Sequence, residues 1–301
     1  NINKSKLIYG LGTELEKLNE KSNKDLKIEL DSTDEKEIQL NFKFDDNNLT
    51  LLENIEIIAN ENSKSTVILK YMSTNKEKAF HNGIIRVNAK KNSEIKIIIV
   101  NLINEESNNF ISIENNIEEN AKCKYIMVDF GGKNSITNYY SNLMGESSEN
   151  IINTIYLGKE NQLLDLNYIG ELRGKKSNID IDVQGALKDN AKKHFKGTID
   201  FKKGSKKSKG NENEICLLLS ETARSMALPM LLCTEEDVEG NHSCATGKAD
   251  NKQLFYIMSR GFSYKEAMKL IVRARFNKII EQIDNEKLRN EILQEMNEKL
   301  D

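Results

Sequence analysis

Three of the four cysteines and one of the three histidines in this 301-residue chain fall within a 29-residue stretch, at Cys216, Cys233, His242 and Cys244. Thiolate and imidazole are the ligands that suit iron, zinc and iron-sulfur clusters. His242 and Cys244 stand two residues apart, so in an extended segment both project from one face. Cys216 precedes Leu217, Leu218 and Leu219, and two readings stay open for it: ligand, or small buried hydrophobe. Burial is the expectation for Cys233 and for the isolated Cys123, and a structural role for His81 and His194. Four irregularly placed cysteines do not make a disulfide framework and are expected to stay thiols in a reducing cytosol.

Other chemistry is missing from the sequence. It has no phosphate-binding glycine loop, no Gly-x-Ser-x-Gly elbow, no His-Glu-x-x-His and no Cys-x-x-Cys. Gly131 and Gly132 are adjacent and lack the spacing of a dinucleotide loop, so no nucleotide is expected on this chain itself. The run from Lys202 to Lys209 carries no aromatic residue to stack bases, and the net charge is -3. It reads as a solvated turn rather than a nucleic-acid site.

The elements that must position these residues follow from the pattern of breaks. Hydrophobic residues make up 38% and charged residues 30% of the chain, the balance of a globular protein. No window approaches the roughly 18 apolar residues of a membrane span, and no signal-peptide run opens the sequence, so a cytoplasmic protein is expected. Residues 1–25 suggest a short helical appendage, with Thr13 as N-cap. From 26 to 240, short runs of Ile, Val, Leu and Tyr are interrupted by small polar pairs such as Asn62-Ser63, Asn92-Ser93, Asn120-Ala121 and Ser177-Asn178. These breaks recur every 13 to 17 residues. An antiparallel sandwich or barrel would place strands at roughly 8 to 12 residues. The longer period suits a solenoid whose coils each hold two strands in about 28 residues. The single proline, Pro229, lies at the far end of this region, as expected where every earlier strand bonds on both edges. Beyond it the period turns helical. Capping boxes at Asp250 to Gln253 and Ser263 to Glu266, and Asp284 as a third cap, predict three helices within a C-terminal domain of residues 241–301. Their apolar stripes, including Met268, Ile271, Val272, Phe276, Ile279 and Ile280, need cover, either on the end of the solenoid or on another protein.

At this point the residues resemble a known family. His194 to Gly197 followed by Ile199-Asp200-Phe201, Leu217 to Leu219, Pro229, Glu236 to Val238, His242, Gly247 to Asp250, Leu254 to Tyr256, and Ser259 to Phe262 followed by Glu266-Ala267 occur in the order and spacing of the SufB/SufD iron-sulfur cluster assembly scaffolds. The firm part covers about residues 190 to 280, and the strand region before it fits more loosely. The resemblance implies a mainly β fold, a right-handed parallel β-helix with a short N-terminal helix and a C-terminal three-helix domain. It implies a non-catalytic scaffold of a SUF-type complex, with ATPase activity residing in a partner. That partner is a SufC-like ABC ATPase docked on about residues 251–301, and nascent clusters form where two scaffolds meet. The second scaffold is a SufB/SufD-type chain or a second copy of this one. Neither nucleic acid nor membrane belongs to this picture.

Residue by residue, His242 falls on the family's functional histidine. Glu214 occupies the position of the essential SufB cysteine, Ser243 that of the glutamate after the histidine, and Gly240 that of a cysteine frequent in SufD. His242, Cys244, Cys216 and Glu214 are therefore the candidate ligands of a transient iron-sulfur cluster or of iron, with His242 and Cys244 foremost for metal. The chain is short for either subunit, and the expectation is a trimmed SufD-like subunit or a minimal scaffold that pairs with itself. A β-helical carbohydrate-active enzyme and a purely structural solenoid are the competing classes.

Overall fold

The computed structural model describes residues 2–31 and 36–301. Two eight-stranded parallel sheets face each other. One holds β1 (Lys24–Leu30), β3 (Thr50–Ala59), β5 (Phe80–Ala89), β7 (Asn108–Ile117), β9 (Asn134–Leu143), β11 (Leu163–Leu172), β13 (Lys192–Phe201) and β15 (Arg224–Cys233). The other holds β2 (Lys36–Phe44), β4 (Lys64–Ser73), β6 (Glu94–Leu102), β8 (Lys122–Asp129), β10 (Glu149–Gly158), β12 (Asn178–Leu187), β14 (Ser208–Leu218) and β16 (Val238–Gly247). The chain alternates between sheets, so each pair of strands is one coil, and every strand from β3 to β14 bonds to the strands of the coils before and after it. This is the parallel β-solenoid expected from the period of the breaks.

The corners explain that period. Asn62, Asn92 and Asn120 adopt left-handed backbone (φ 60, 59 and 54°), a conformation that asparagine tolerates better than most residues. Their side chains form a ladder, with the Asn92 amide donating to Asn62 at 3.1 Å and that of Asn120 to Asn92 at 3.2 Å. The next residue of each corner, Ser63, Ser93 and Ala121, is small and buried, because it turns into the narrow end of the coil. Between corners, alternate residues point inward and stack with their register partners. One such row runs Ile55, Ile85, Ile113, Tyr139, Tyr168, Gly197 and Pro229. Pro229 ends that row on β15, the last strand of its sheet, where proline's missing N–H costs no ladder bond to a further coil.

Both outer walls are partly covered. A short helix α1 (Thr13–Leu18) and the residues before it lie on the wall of β5, β7 and β9: the Ile8 N–H donates to Glu114 at 2.8 Å and the Asn82 amide to the Leu15 carbonyl at 2.8 Å. The expected cap is corrected here. Thr13 is the first helical residue, Gly12 holds the N-cap position, and no side chain caps the helix.

The opposite wall carries α3 (Tyr264–Ile280) and α4 (Glu286–Leu300), joined to β16 through α2 (Asn251–Met258). Met268, Ile271, Val272, Phe276, Ile279 and Ile280 are buried against Ile98, Val100, Ile126, Val128, Ile155 and Leu157 of the sheet, so the stripe is covered within the chain. The capping box of Ser263 and Glu266 forms with both reciprocal bonds, and Asp250 caps α2 by accepting from the Lys252 N–H. Asp284 does not cap the last helix. Asn285 does, accepting from Leu288 N–H, while Asp284 pairs with Lys96 on the sheet. Residues 241–247, grouped above with the helices, lie on β16. Among the described residues, no helix is long and apolar enough to cross a membrane.

Candidate functional site

The register of the last coils assembles the candidate residues. β14 lies between β12 and β16, placing Glu212 beside His242, Glu214 beside Cys244 and Cys216 beside Thr246. Along β14, Glu212, Glu214 and Cys216 are buried while Asn211, Asn213 and Ile215 are not, so this parity faces the solenoid interior. His242 and Cys244 share that face and are exposed, since no coil lies beyond β16.

Beneath them is a polar chamber in the solenoid interior. Lys193 and Glu214, both with 0% side-chain exposure, form an ion pair of 2.8 Å, and the Tyr156 hydroxyl donates to the same Glu214 Oε1 at 2.9 Å. A second bond takes Lys193 Nζ to the Met226 carbonyl at 3.3 Å. Two glycines make the room. A Cβ on Gly185 would lie 1.8 Å from the Tyr156 ring, and one on Gly197 would lie 2.2 Å from the Glu212 carboxyl carbon. The chain thus gives up a side chain in each place so that a polar one can turn inward.

The electrostatics follow from this burial. Loss of solvent pushes the Glu212 carboxyl up to about 7, and the neighbouring Glu214 charge adds to the shift. The Cys244 thiol is pushed up to about 11, mostly by burial, then by the negative charge of Glu214 and Glu212, with Lys193 opposing. Burial also raises Cys216, against the hydroxyls of Tyr156 and Ser225 and the charge of Lys193. At neutral pH these thiols are protonated, and binding a metal cation means displacing the proton.

The four candidates are thus brought together on two adjacent strands, with His242 and Cys244 open and Glu214 and Cys216 enclosed. Among the described residues, no three His, Cys, Asp or Glu side chains stand within reach of one shared ion. The other thiols separate. Cys123 is buried, as expected, but Cys233 is exposed: it sits on the inward row in register with Phe201, and no coil follows to cover it. His81 is fully buried, with Nδ1 2.7 Å from Asn109 and Nε2 3.1 Å from Glu53. His194 faces outward beside Asp165 at 3.7 Å.

Glu212, Lys193 and Tyr156 escape a reading by motif. A signal for Glu212 was present, because Cys216 read as inward puts residues 214 and 212 inward by the period of two.

Residues 42–275 match the family described as SUF system FeS cluster assembly, SufBD core domain. The chain belongs to the SufBD core family. Among relatives, it is 25% identical over 265 residues to the iron-sulfur cluster assembly protein SufD of Bacillus subtilis, covering 87% of this chain and 61% of that protein. It is 24% identical over 241 residues to SufD of Escherichia coli, covering 80% and 57%. Over 160 residues it is 31% identical to an iron-sulfur cluster assembly SufBD family protein of Pyrococcus horikoshii, covering 52% and 35%. The chain thus spans about three-fifths of the length of the two SufD relatives. The SufBD core match takes in β3 to β16 and α2 and runs into α3, so the solenoid after its first coil and its open end lie within the family's region.

Proposed function

We propose that this chain is a scaffold subunit of a SUF-type assembly complex, holding iron and sulfide at the open end of its solenoid while a nascent cluster forms. The observation that carries the reading is the coincidence of the family's region with a coil end that turns His242 and Cys244 to one open face. The cluster is cargo. His242 offers a nitrogen ligand and Cys244 a thiolate once its proton is displaced, with Glu214 and Cys216 one strand inward.

Two surfaces support the partners. On α2 and the start of α3, Phe255 is 75% exposed, Tyr256 59% and Tyr264 56%, and the Arg260 guanidinium stacks on Tyr256. Aromatic side chains and arginine left in water on a well-packed helix pair are the composition of a binding hot spot. We assign this surface to a SufC-like ABC ATPase, which supplies the ATP hydrolysis that this chain does not perform. At the coil end, Met226, Leu228, Met230 and Leu232 form an outward apolar row on β15, and both terminal strands keep a free edge. Such an edge is a template for another chain. A second scaffold, a copy of this chain or a distinct SufB/SufD-type subunit, fits there and brings its own ligands to His242 and Cys244.

The competing classes fit less well. A carbohydrate-active solenoid works through carboxylates in an open groove, and here Glu212 and Glu214 are enclosed where no sugar chain reaches. A purely structural solenoid has no use for buried charge without a full set of partners. Co-purification with a SufC-type ATPase tests the reading. The full chain should retain the ATPase, and the Phe255→Ser/Tyr256→Ser double variant should release it with no loss of thermal stability. Equal retention by both would overturn the assignment of α2.

A further inference from the structure

The N-terminal segment and α1 leave a cavity of about 250 Å3 against the wall that they cross, lined by Lys4, Lys6, Lys17 and Arg86 against the carboxylates of Glu16 and Glu20. Arg86, on β5, is only 5% exposed, and its Nε has no hydrogen-bond partner. Its one hydrogen bond among the described residues runs from a terminal nitrogen to the Ser5 carbonyl at 2.5 Å. Glu56 and Glu114 stand in register on either side of it, yet their carboxylates bond the segment instead: Glu56 accepts from the Asn3 N–H at 3.3 Å and Glu114 from the Ile8 N–H at 2.8 Å. A guanidinium carries five N–H donors, and burying donors without acceptors costs free energy. Native structures keep such groups where an ion or ordered water completes them. Of the lysines, Lys4 is drawn to Asp25 at 2.7 Å and Lys17 to Glu14 at 3.8 Å, whereas Lys6, exposed on the segment, has no ion-pair partner among the described residues.

We propose that this cavity is a site for a small phosphate-type dianion, held between the Arg86 guanidinium on the wall and the Lys6 ammonium on the segment. The planar guanidinium fork matches the oxygens of a phosphate, and the hydroxyls of Ser5 and Thr13 line the same cavity as further donors. Two cations without ion-pair partners call for two negative charges. A phosphate monoester brings about -1.5 to -2 at pH 7 in one compact group, where a carboxylate brings a single charge. Among the described residues no aromatic side chain lines the cavity, so nothing there stacks a base, and the class is free phosphate or a small phosphorylated molecule rather than a nucleotide. Bound there, the anion ties the N-terminal segment to the third coil. His242 and Cys244 lie on the last coil, so the site stands apart from the scaffold reading and does not depend on it.

The test titrates the full chain with inorganic phosphate and with glycerol phosphate by calorimetry and phosphorus NMR, at constant ionic strength with chloride as the control anion. Binding should saturate at one equivalent per chain, and the bound anion should raise the melting temperature in a concentration-dependent way. Tighter binding of inorganic phosphate identifies the ligand as the free ion, and tighter binding of glycerol phosphate identifies it as an esterified one. Arg86→Gln should weaken binding by about tenfold or more, the loss of a charge-assisted hydrogen bond. Because Arg86 is buried, Lys6→Ala on the exposed segment supplies a check that does not depend on refolding the wall. It should weaken binding by about threefold while melting, without ligand, as the parent chain does. No saturable binding of either phosphate above the chloride control overturns the site, as does undiminished binding by Arg86→Gln or by Lys6→Ala.

Discussion

Replacing Lys193 with methionine probes the chamber most sharply. The substitution keeps an unbranched side chain of similar length in a fully buried position and removes the charge. Glu214 then loses its 2.8 Å ion-pair partner, and keeps only the Tyr156 hydroxyl at 2.9 Å. Its negative charge also stands uncompensated beside Glu212. Removing one member of a buried ion pair costs about 3–5 kcal/mol, because the remaining charge cannot reach water. At ~2–4 °C per kcal/mol for a domain of this order, the melting temperature of Lys193→Met should fall by about 10 °C. The assay is thermal unfolding by circular dichroism at pH 7.5 in chelator, alongside urea titration. Adding Glu214→Gln to Lys193→Met should return most of the loss, since a neutral pair carries no stranded charge. A loss under ~1 kcal/mol for the single variant, or a double variant no more stable than the single, would refute the claim that Lys193 and Glu214 are a charged, solvent-excluded pair.

Two further outcomes follow from burial. The Asp129 carboxyl is pushed up to about 6 from 3.8 by loss of solvent, so the fold prefers its neutral form. Its contribution to stability is therefore full below about pH 4 and declines as pH rises through about 6; the shift of about two units amounts to ~3 kcal/mol. Asp129→Asn should lessen that decline in urea titrations at successive pH values, and an unchanged profile would contradict the assignment. The thiols should divide in the native chain at pH 7.5: Cys233 and Cys244 are open to Ellman's reagent, whereas Cys123 and Cys216 react only on unfolding. With its thiol raised from 9.0 to about 11, Cys244 should react about tenfold more slowly than an ordinary exposed cysteine, its scarcer thiolate being partly offset by greater nucleophilicity. Four fast thiols would mean that the coil interior is open to solvent.

The solenoid was legible because its corners are written in local chemistry. A left-handed asparagine followed by a small residue recurs at Asn62-Ser63, Asn92-Ser93 and Asn120-Ala121, a pattern of two adjacent residues that can be read without knowing what packs against it. The stripe from Met268 to Ile280 was legible for the same reason, although the surface that covers it was not. Caps were less certain: Asp284 and Asn285 are both good N-cap types, and only the position of Leu288 N–H relative to each selects Asn285. Within the site, the period of two along one strand placed His242 with Cys244. Partners drawn from different coils were hidden, because Lys193 meets Glu214 across 21 residues and Tyr156 meets it across 58, through a register that no local pattern encodes. Cys233 misled for a related reason, since its inward parity is correct and only the end of the solenoid exposes it.

The central claim is that the coil end at β16 is where cluster is built. Anaerobic reconstitution of the full complex with iron, sulfide and a SufC-type ATPase, followed by absorption and Mössbauer spectroscopy of the bound cluster, measures it directly. The parent chain should accumulate cluster, and His242→Ala should lose most of it while retaining its fold and its partners. Full cluster assembly by His242→Ala would contradict the placement of the site at this face.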